Sequence, residues 1–417
     1  ALFYPSFLLK NQQHTMTTPD IAAIRANFPS LTQDQVFFDS AGGSQVLGAV
    51  VSSITTHYTV SNVQLGPTYA AARLAVSNYT AAYAATARFL NTNPNQIVFG
   101  ASTTQLLRNL AHALQFEKGD EIVVSAVDHE SNISPWLDLA ERQGLVVKWW
   151  KPERLDDSDA SGLLALITDK TKLVAVTHAS NVLGVINPIR KIADAAHAHG
   201  ALIAVDGVAY APYRPIDVAA LDVDFYVFSW YKVFGPHIST LYASTRAFPR
   251  VRSLGHYFLD TNTLEGKLGL AGAAYELLQA IPVVIDYLGP TDGPMRHDIE
   301  LNQNIILRPL LAYLAADPDR FTVYGGAILH PNRLPVVSFS VKGWSSRQVV
   351  EEVEKVSNIG IRWGHFYAPR LVGEILGRLK DGLDGIIRVS FAHYNSLEEV
   401  ERFITVLDSV LSKAPAA

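Results

Sequence analysis

The chain has 417 residues, 48% of them hydrophobic and 18% charged, and this length predicts two domains with a large buried core. Its formal net charge is −5, which argues against binding to nucleic acid or to an anionic membrane surface. The sequence contains no cysteine. This excludes disulfides, cysteine-ligated metal sites and thiol nucleophiles, and it is compatible with a cytoplasmic location.

The N-terminal segment begins with an apolar stretch, residues 1–9, that is too short to span a membrane. No basic residues precede this stretch, so it makes a poor secretory signal. The sequence from Met16 onward resembles a natural start, and we interpret residues 1–15 as an extension. Residues 1–30 as a whole are expected to form an N-terminal extension and arm.

The next part of the chain alternates apolar strand patterns with helical patterns. The predicted strands are Gln96–Gly100, Glu121–Ala126, Val146–Trp150, Lys172–His178, Leu202–Asp206, Phe225–Ser229 and Ser239–Ser244. Helical patterns between them cover 104–114, 136–144 and 189–200. This alternation predicts an α/β domain, residues 31–290, with a mainly parallel sheet covered on both faces. Ligands of such sheets bind at the carboxyl ends of the strands.

The last third has a different pattern. Residues 276–314 are helical in character but interrupted by proline and glycine, and two strand patterns follow. The final segment predicts an amphipathic helix with Ser396 as N-cap and Glu399 completing a capping box. We expect residues 291–417 to form a smaller α+β domain.

Lys232 follows a predicted strand by three residues, among the aromatic residues Trp230, Tyr231 and Phe234. Lysine with its ordinary pKa of about 10.4 is a poor nucleophile at neutral pH. Desolvation lowers that pKa and frees the amine to form a Schiff base. The alternative is a surface lysine whose stem packs on the aromatic rings.

Asp206 ends another predicted strand. A carboxylate at this position can pair with a pyridinium nitrogen and keep it protonated, which makes the ring an electron sink. The alternative role is a helix N-cap before Gly207, which is the commoner use of an aspartate after a strand.

Other polar side chains also follow predicted strands. Thr103 and Thr104 begin a helical pattern, where backbone N–H groups and hydroxyls suit a phosphate, although ordinary N-capping is the alternative. His129 can stack on a flat cofactor and Asn181 can donate to a ring substituent; a structural histidine and a turn asparagine are the alternatives. Because the ends of parallel strands meet at one sheet edge, we predict a shared cofactor site.

Arg388 lies in an apolar predicted strand. A guanidinium among apolar residues needs an anionic partner. A substrate carboxylate, which arginine binds with two hydrogen bonds, is one candidate, and a structural salt bridge is the other.

From about Asp20 to Val410 the sequence resembles the class V aminotransferase family of fold-type I pyridoxal 5'-phosphate (PLP) enzymes, in its cysteine-desulfurase-like group. The matching segments are FFDSAGG, DHESNISPW, THASNVLG, VDGVAYAP, FSWYKVFGPH, RWGHFYAP and RVSFAHYN. The resemblance implies a mainly parallel seven-stranded sheet in the large domain, PLP as cofactor and no metal. It also implies a small-molecule amino-acid substrate and a homodimer with its sites at the interface.

The resemblance further implies a role for each candidate residue. Lys232 would carry PLP as a Schiff base, Asp206 would pair with the pyridine nitrogen and His129 would stack on the ring. The other implied positions are Asn181 beside the ring hydroxyl and the substrate, Thr103, Thr104 and Ser229 at the phosphate, Arg388 at the substrate carboxylate, and Thr263 at the phosphate of a second subunit.

The sequence departs from this family pattern at four positions. Tyr367 stands where desulfurases have their cysteine, so persulfide chemistry is not expected. Tyr231, in place of a histidine, directly precedes the lysine and is expected at the cofactor. Ala209 replaces a glutamine or histidine beside the ring, and Asn262 replaces a glycine in the cross-subunit loop.

The segments KWW, VDGVA, PIDVAALDVDFYVFSWYKVFGPH, TLYAS and LEGKL resemble a fungal secondary-metabolism subgroup, that of ustiloxin-type decarboxylative aldolases and loline-type PLP cyclases. This implies a lyase or transferase that removes a carboxylate or proton from an amino acid and joins the resulting carbon to an electrophile. The alternatives are an epimerase, aminotransferase or C–S lyase on the same scaffold, and a degenerate scaffold that only binds PLP.

Overall fold

The structure, a computed structural model, describes residues 19–156, 158–270, 272–380 and 382–413. The predicted extension at residues 1–15 lies outside them. The α-helices of the described residues are α1 Ile21–Arg25, α2 Gly48–Thr56, α3 Ala70–Leu90, α4 Thr103–Ala113, α5 Ser134–Gln143, α6 Ser161–Leu164, α7 Ile189–Ala198, α8 Val218–Leu221, α9 Leu264–Leu268, α10 Tyr275–Leu278, α11 Ile281–Leu288, α12 Pro294–Ala315, α13 Ser346–Val356 and α14 Leu397–Leu411. No helix among these ranges is long and apolar enough to cross a membrane.

The strands of the same residues are β1 Val36–Phe37, β2 Ile97–Gly100, β3 Glu121–Ser125, β4 Val146–Trp150, β5 Thr171–Thr177, β6 Leu202–Asp206, β7 Phe225–Ser229, β8 Ser239–Ala243, β9 Phe321–Tyr324, β10 Val336–Val341, β11 Ile359–Gly360, β12 Arg362–Gly364 and β13 Ile386–Ser390. Seven of them form the main sheet in the order β2-β8-β7-β6-β5-β3-β4. The pairs from β7 to β4 are parallel, and β8 is antiparallel to both of its neighbours. The predicted seven-stranded, mainly parallel sheet is confirmed.

The main sheet is buried on both faces, as its apolar strands predict. Alternate residues of a strand point to opposite faces. Ile122 and Val124 of β3 accordingly pack with Trp136 of α5 in one core. Val123, between them, packs in the other core with Ile192 of α7. The two cores hold the strand ends in place from both sides, which fixes the edge where the polar side chains lie.

A second sheet forms in the C-terminal part, with four antiparallel strands in the order β12-β13-β10-β9. Helix α14 shares a hydrophobic core with this sheet. Its predicted capping box is confirmed, since Ser396 Oγ accepts from the N–H of Glu399 and Glu399 Oε2 accepts from the N–H of Ser396.

Strand β1 belongs by contact to this C-terminal part. Val36 pairs with Ile359 in a parallel two-stranded sheet, and Phe38 packs in the C-terminal core with Phe391. The segment lies within residues 31–290, where we expected only the large domain. The remaining division into domains stays a prediction.

Candidate active site

A cavity of about 110 Å³ lies at the carboxyl ends of the parallel strands. Strands β5 and β6 end at its wall, in Thr177 and Asp206. Most of the predicted site residues are brought together here. The lining consists of Ser102, Thr103, Thr104, His129, Ser131, Thr177, Ala179, Asn181, Asp206, Val208, Ala209, Tyr231 and Lys232.

Lys232 is held in a buried 3-10 turn, Trp230–Lys232, directly after β7. The indole N–H of Trp230 donates to Thr240 Oγ1 at 2.7 Å, which anchors the turn on the neighbouring strand. Burial, with the positive charge of Arg388, lowers the pKa of Lys232 to about 8, although the charge of Asp206 opposes this. At neutral pH a useful fraction of the amine is therefore unprotonated and nucleophilic.

Asp206 presents a buried carboxyl to the same cavity. Its Oδ1 accepts a hydrogen bond from the N–H of Val208 at 2.8 Å. Burial raises the pKa of Asp206 to about 6, while the Val208 N–H and the Lys232 charge lower it. The carboxyl is therefore mostly ionised at neutral pH and strongly favours a cation beside it, as a protonated pyridine nitrogen would be.

His129 offers a flat, neutral ring. Its Nδ1 accepts from the N–H of Ser131 at 3.1 Å and lies 2.8 Å from the Ser131 hydroxyl. Burial, together with the charges of Lys232 and Arg388, lowers the pKa of His129 to about 3. An uncharged imidazole can stack on an aromatic cofactor without the cost of burying a second cation.

The start of α4, which was predicted to bind the phosphate, lines the cavity. Thr103 and Thr104 are the first two residues of this helix, and Ser102 is its N-cap, with Oγ accepting from the N–H of Gln105 at 3.1 Å. Free N–H groups and the helix dipole attract an anion here. Sequence reasoning missed Ser102, although its place before the threonine pair is a regular N-cap position.

Two residues predicted at the phosphate do not line this cavity within one chain. The hydroxyl of Ser229 lies 2.8 Å from that of Ser239 on the adjacent strand. Thr263 caps α9, accepting from the N–H of Gly266. It faces a separate hollow of about 600 Å³ that also borders Gly100 and Ala101, just before the start of α4. The roles predicted for both residues stay predictions.

Arg388 is fully buried and takes part in an ion pair, which was one of its two expected roles. Its Nη2 donates to Asp39 Oδ1 at 2.5 Å and its Nη1 to the Asn181 carbonyl at 3.2 Å. The Nη1 of Arg362 lies 3.6 Å from the other oxygen of Asp39. Within the described residues Arg388 Nε is buried without a hydrogen-bond partner. Sequence reasoning missed Asp39 and Arg362, although both stand in the segments FFDSAGG and RWGHFYAP.

Tyr367 does not line the cavity in this chain; it lies beside the cavity-lining His129, on a loop with unusual backbone geometry. Phe366 and Tyr367 have φ values of 52° and 56°, in the left-handed region that non-glycine residues seldom adopt. The loop is held by hydrogen bonds from Asn181 Nδ2 to the Phe366 carbonyl and from the Glu130 N–H to the Tyr367 carbonyl. The Tyr367 ring stacks on His129 with a centroid distance of 5.2 Å.

These residues fit PLP by their chemistry. The aldehyde requires a nucleophilic amine, the ring nitrogen a carboxylate, the ring face a flat partner and the phosphate a helix N-terminus. The cavity wall provides all four, in Lys232, Asp206, His129 and the start of α4.

Comparisons with known proteins agree with this geometry. The family Aminotransferase class-V matches residues 36–403. Aminotransferase-like protein FGM3 of Gibberella zeae is 49% identical over 94% of this chain and 98% of its own length. Cysteine desulfurase-like protein ustD of Aspergillus flavus is 38% identical over 94% of this chain and 91% of its own length.

Solved structures show the same fold. The cysteine desulfurase from Thermococcus onnurineus NA1 matches with a TM-score of 0.85 and 26% identity, over 95% of this chain and 99% of that chain. The cysteine desulfurase CsdA from Escherichia coli matches with a TM-score of 0.82, also at 26% identity and over 95% and 99% of the two chains. The family, fold and cofactor expected from the sequence are confirmed: the chain belongs to the class V aminotransferase family, and its cofactor is pyridoxal 5'-phosphate.

Proposed function

We propose that the protein is an enzyme of amino-acid-derived secondary metabolism that forms a carbon–carbon bond. The substrate amino acid loses its carboxylate as CO₂ or its α-proton, and Cα then attacks a carbon electrophile in an aldol or Mannich-type reaction. The observation that carries this proposal is the convergence of Lys232, Asp206 and His129 on one buried cavity. Similarity to the fungal proteins FGM3 and ustD supports the biosynthetic setting.

When bound, PLP supplies an electron-withdrawing ring that stabilises negative charge at the substrate Cα. Asp206 would hold the ring nitrogen in its protonated form through charge attraction, and His129 would provide a flat, neutral partner for the ring. The Lys232 amine, whose pKa is lowered to about 8 by burial, accepts and returns protons near Cα at neutral pH.

Arg388 is proposed to bind the substrate carboxylate. Two guanidiniums, of Arg388 and Arg362, share the single carboxylate of Asp39, so this group carries a net charge of +1. A second carboxylate would balance that charge, and the buried Nε of Arg388 is available as a donor. The orientation that this contact would impose on the substrate would decide which bond at Cα breaks.

We also propose that the protein has no cysteine desulfurase activity. Desulfuration requires a thiolate that attacks the substrate sulfur. The chain contains no cysteine, and Tyr367 occupies the corresponding position. The further proposals are a cytosolic location and a homodimer in which Thr263 reaches the phosphate of the partner subunit.

The decisive experiment is product analysis. The purified protein is incubated with PLP and a panel of amino acids, with and without aldehydes, and products and CO₂ are measured by mass spectrometry. An adduct that requires both substrates supports the proposal. Epimerised amino acid, a keto acid or a C–S cleavage product formed from the amino acid alone would assign the alternative reactions. A protein that binds PLP and transforms no amino acid would be the degenerate scaffold.

A further inference from the structure

The main chain beside the Asp206 carboxyl rests directly on an aromatic ring. Gly207 follows Asp206, and a Cβ placed on Gly207 would overlap Cε1, Cζ and the hydroxyl oxygen of Tyr226. Tyr226 lies in the inner strand β7, next to β6, and is completely buried. Its ring therefore has no room to move aside, and the position of the 206–207 peptide depends on it.

The Tyr226 ring is itself held by a buried histidine. The hydroxyl of Tyr226 lies 2.8 Å from Nδ1 of His178. The His178 ring stacks on Tyr210 with a centroid distance of 3.5 Å and an interplanar angle of 10°. Burial lowers the pKa of His178 to about 3 and raises that of Tyr226 well above its ordinary value, so both groups are neutral. Neither places a charge next to Asp206.

Backbone hydrogen bonds also hold the main chain of Asp206 and Gly207 in place. The N–H of His178 donates to the Asp206 carbonyl at 2.7 Å, and the N–H of Tyr210 donates to the Gly207 carbonyl at 3.0 Å. The N–H of Gly207 donates to Val227 of β7 at 2.8 Å. The residues that hold the Tyr226 ring thus also hold the peptide that the ring supports.

We propose that Tyr226 and His178 are positioning residues that fix the direction of the Asp206 carboxylate toward the cofactor nitrogen. Neither lines the cofactor cavity, so both act through Asp206. A charged pair depends on close, well-aligned contact, and a carboxylate displaced by even a fraction of an ångström loses part of its attraction for the ring nitrogen. The inference rests on the proposed role of Asp206.

The test compares Tyr226→Phe with a matched substitution. Tyr226→Phe keeps the ring against Gly207 and removes only the hydroxyl. Tyr242→Phe is the control, because Tyr242 pairs directly with Tyr226 across β7 and β8, and its hydroxyl interacts with Thr92 instead. The PLP dissociation constant of each apo-protein is measured by fluorescence titration, with the pH titration of the bound cofactor's visible band and kcat as further readouts.

We expect Tyr226→Phe to weaken PLP binding about 3- to 10-fold, the range for loss of one buried hydrogen bond, and to shift the spectral titration. Tyr242→Phe should bind PLP like the wild type. His178→Gln, whose amide can replace the hydrogen bond, should retain tighter binding than His178→Ala. Circular dichroism of the apo-proteins verifies that each variant is folded.

Two outcomes separate this inference from the proposed function. If the wild-type protein forms no lysine-bound PLP, the proposed function fails and this inference fails with it. If the wild type binds PLP on Lys232 but Tyr226→Phe matches it in affinity and spectral titration, only the positioning role is overturned. Equal loss of affinity in Tyr226→Phe and Tyr242→Phe would also overturn it, since it would indicate a general effect on the sheet.

Discussion

The lowered pKa of Lys232 has a direct kinetic consequence. Only the neutral amine attacks the PLP aldehyde, and burial lowers the pKa of this lysine to about 8. The rate of PLP uptake by the apo-protein should therefore rise about tenfold per pH unit from pH 6 and level off near pH 8. Stopped-flow absorbance follows the reaction, with Lys232→Ala as the blank. A rate that keeps rising to pH 10 would mean that the amine has its ordinary pKa.

Asp206→Asn tests the carboxylate without changing its shape. We expect the variant to retain PLP on Lys232 but to lose turnover by about 10²-fold or more, because removal of a preorganised charge at the reacting group costs several kcal/mol of barrier. Asp217→Asn is the control: Asp217 caps α8, and asparagine caps a helix equally well. Normal turnover in Asp206→Asn would reduce Asp206 to a structural residue.

At Tyr367 the ring and the hydroxyl can be tested separately. The wild type should release no sulfide from cysteine above the Lys232→Ala background, because it has no thiolate. Tyr367→Phe keeps the ring that stacks on His129, whereas Tyr367→Ala removes it. Steady-state kinetics on the true substrate should show a larger loss for Tyr367→Ala. Unchanged kinetics in Tyr367→Phe would leave the hydroxyl without a catalytic part, and sulfide release by the wild type would contradict the exclusion of desulfuration.

Among the elements, the segment after β12 is fastened to the large sheet by Arg370. Its guanidinium lies 3.4 Å from Glu130 and 5.0 Å from the centre of the Trp149 ring. Arg370→Met keeps most of the volume and removes these two contacts, together with the ion pair of Arg370 with Glu374. We expect a KM raised several-fold with kcat nearly unchanged, because the loop that carries Tyr367 would close less firmly. Arg347→Met, which likewise removes an exposed ion pair, with Glu351, and a contact with an aromatic ring, that of Trp363, is the control. A fall in kcat alone would refute the role of Arg370 in holding the loop.

Local patterns predicted the elements well because strands, helices and caps depend on neighbouring residues. The seven strands of the main sheet and the cap at Ser396 were found this way. Pairings between distant residues leave no local pattern. The ion pair of Asp39 with Arg388 joins residues 349 positions apart, and the contact between Ser229 and Ser239 depends on β7 and β8 lying in register.

In the cofactor site, too, contacts between residues far apart in the sequence could not be predicted. Strand ends and the family resemblance together predicted the lysine, the carboxylate, the histidine and the helix start, and the structure brings these to one cavity. They did not identify the buried support under Asp206, because it requires Tyr226 of one strand to meet His178 beyond the end of another. The stacking of Tyr367 on His129 likewise depends on a loop from the C-terminal part meeting the large sheet.

For the whole molecule, a buried carboxyl makes stability depend on pH. Burial raises the pKa of Asp128 to about 7 from an ordinary value of 3.8. Between pH 3.8 and about 7 the folded state therefore holds a proton on Asp128 that the unfolded state lacks. The stabilisation that comes from binding this proton is lost as the pH rises through 7. Asp128→Asn should stabilise the apo-protein above pH 7, and the advantage should shrink by about 1.4 kcal/mol per unit as the pH falls toward 4. Denaturant unfolding at each pH measures the difference in unfolding free energy between Asp128→Asn and the wild type. A difference that stays constant from pH 7 to pH 4 would show that Asp128 does not hold a proton.

The proposed homodimer can be tested on an exposed aromatic pair. Tyr257 and Phe258 are 99% and 69% exposed and lie a few residues before Thr263, predicted to reach the partner. Exposed apolar side chains of this size favour an interface. Replacing both with serine should shift sedimentation toward the monomer and weaken PLP binding. Ile328→Ser, at another exposed apolar residue, should leave the dimer intact. A wild-type protein that is active as a monomer would rule the proposal out.

The pairing of β1 with β11 also has a consequence for the order in which parts of the protein can fold during synthesis. Ribosomes release a chain from its N-terminus, and early segments fold first. The main sheet ends at Ala243, so all residues that line the cofactor cavity emerge before β11 and β13 are synthesised. Strand β1 and Asp39 must wait for partners more than 300 residues away. A nascent chain thus acquires its cavity-lining residues first, and Arg388, the proposed substrate-binding arginine, is added only with β13.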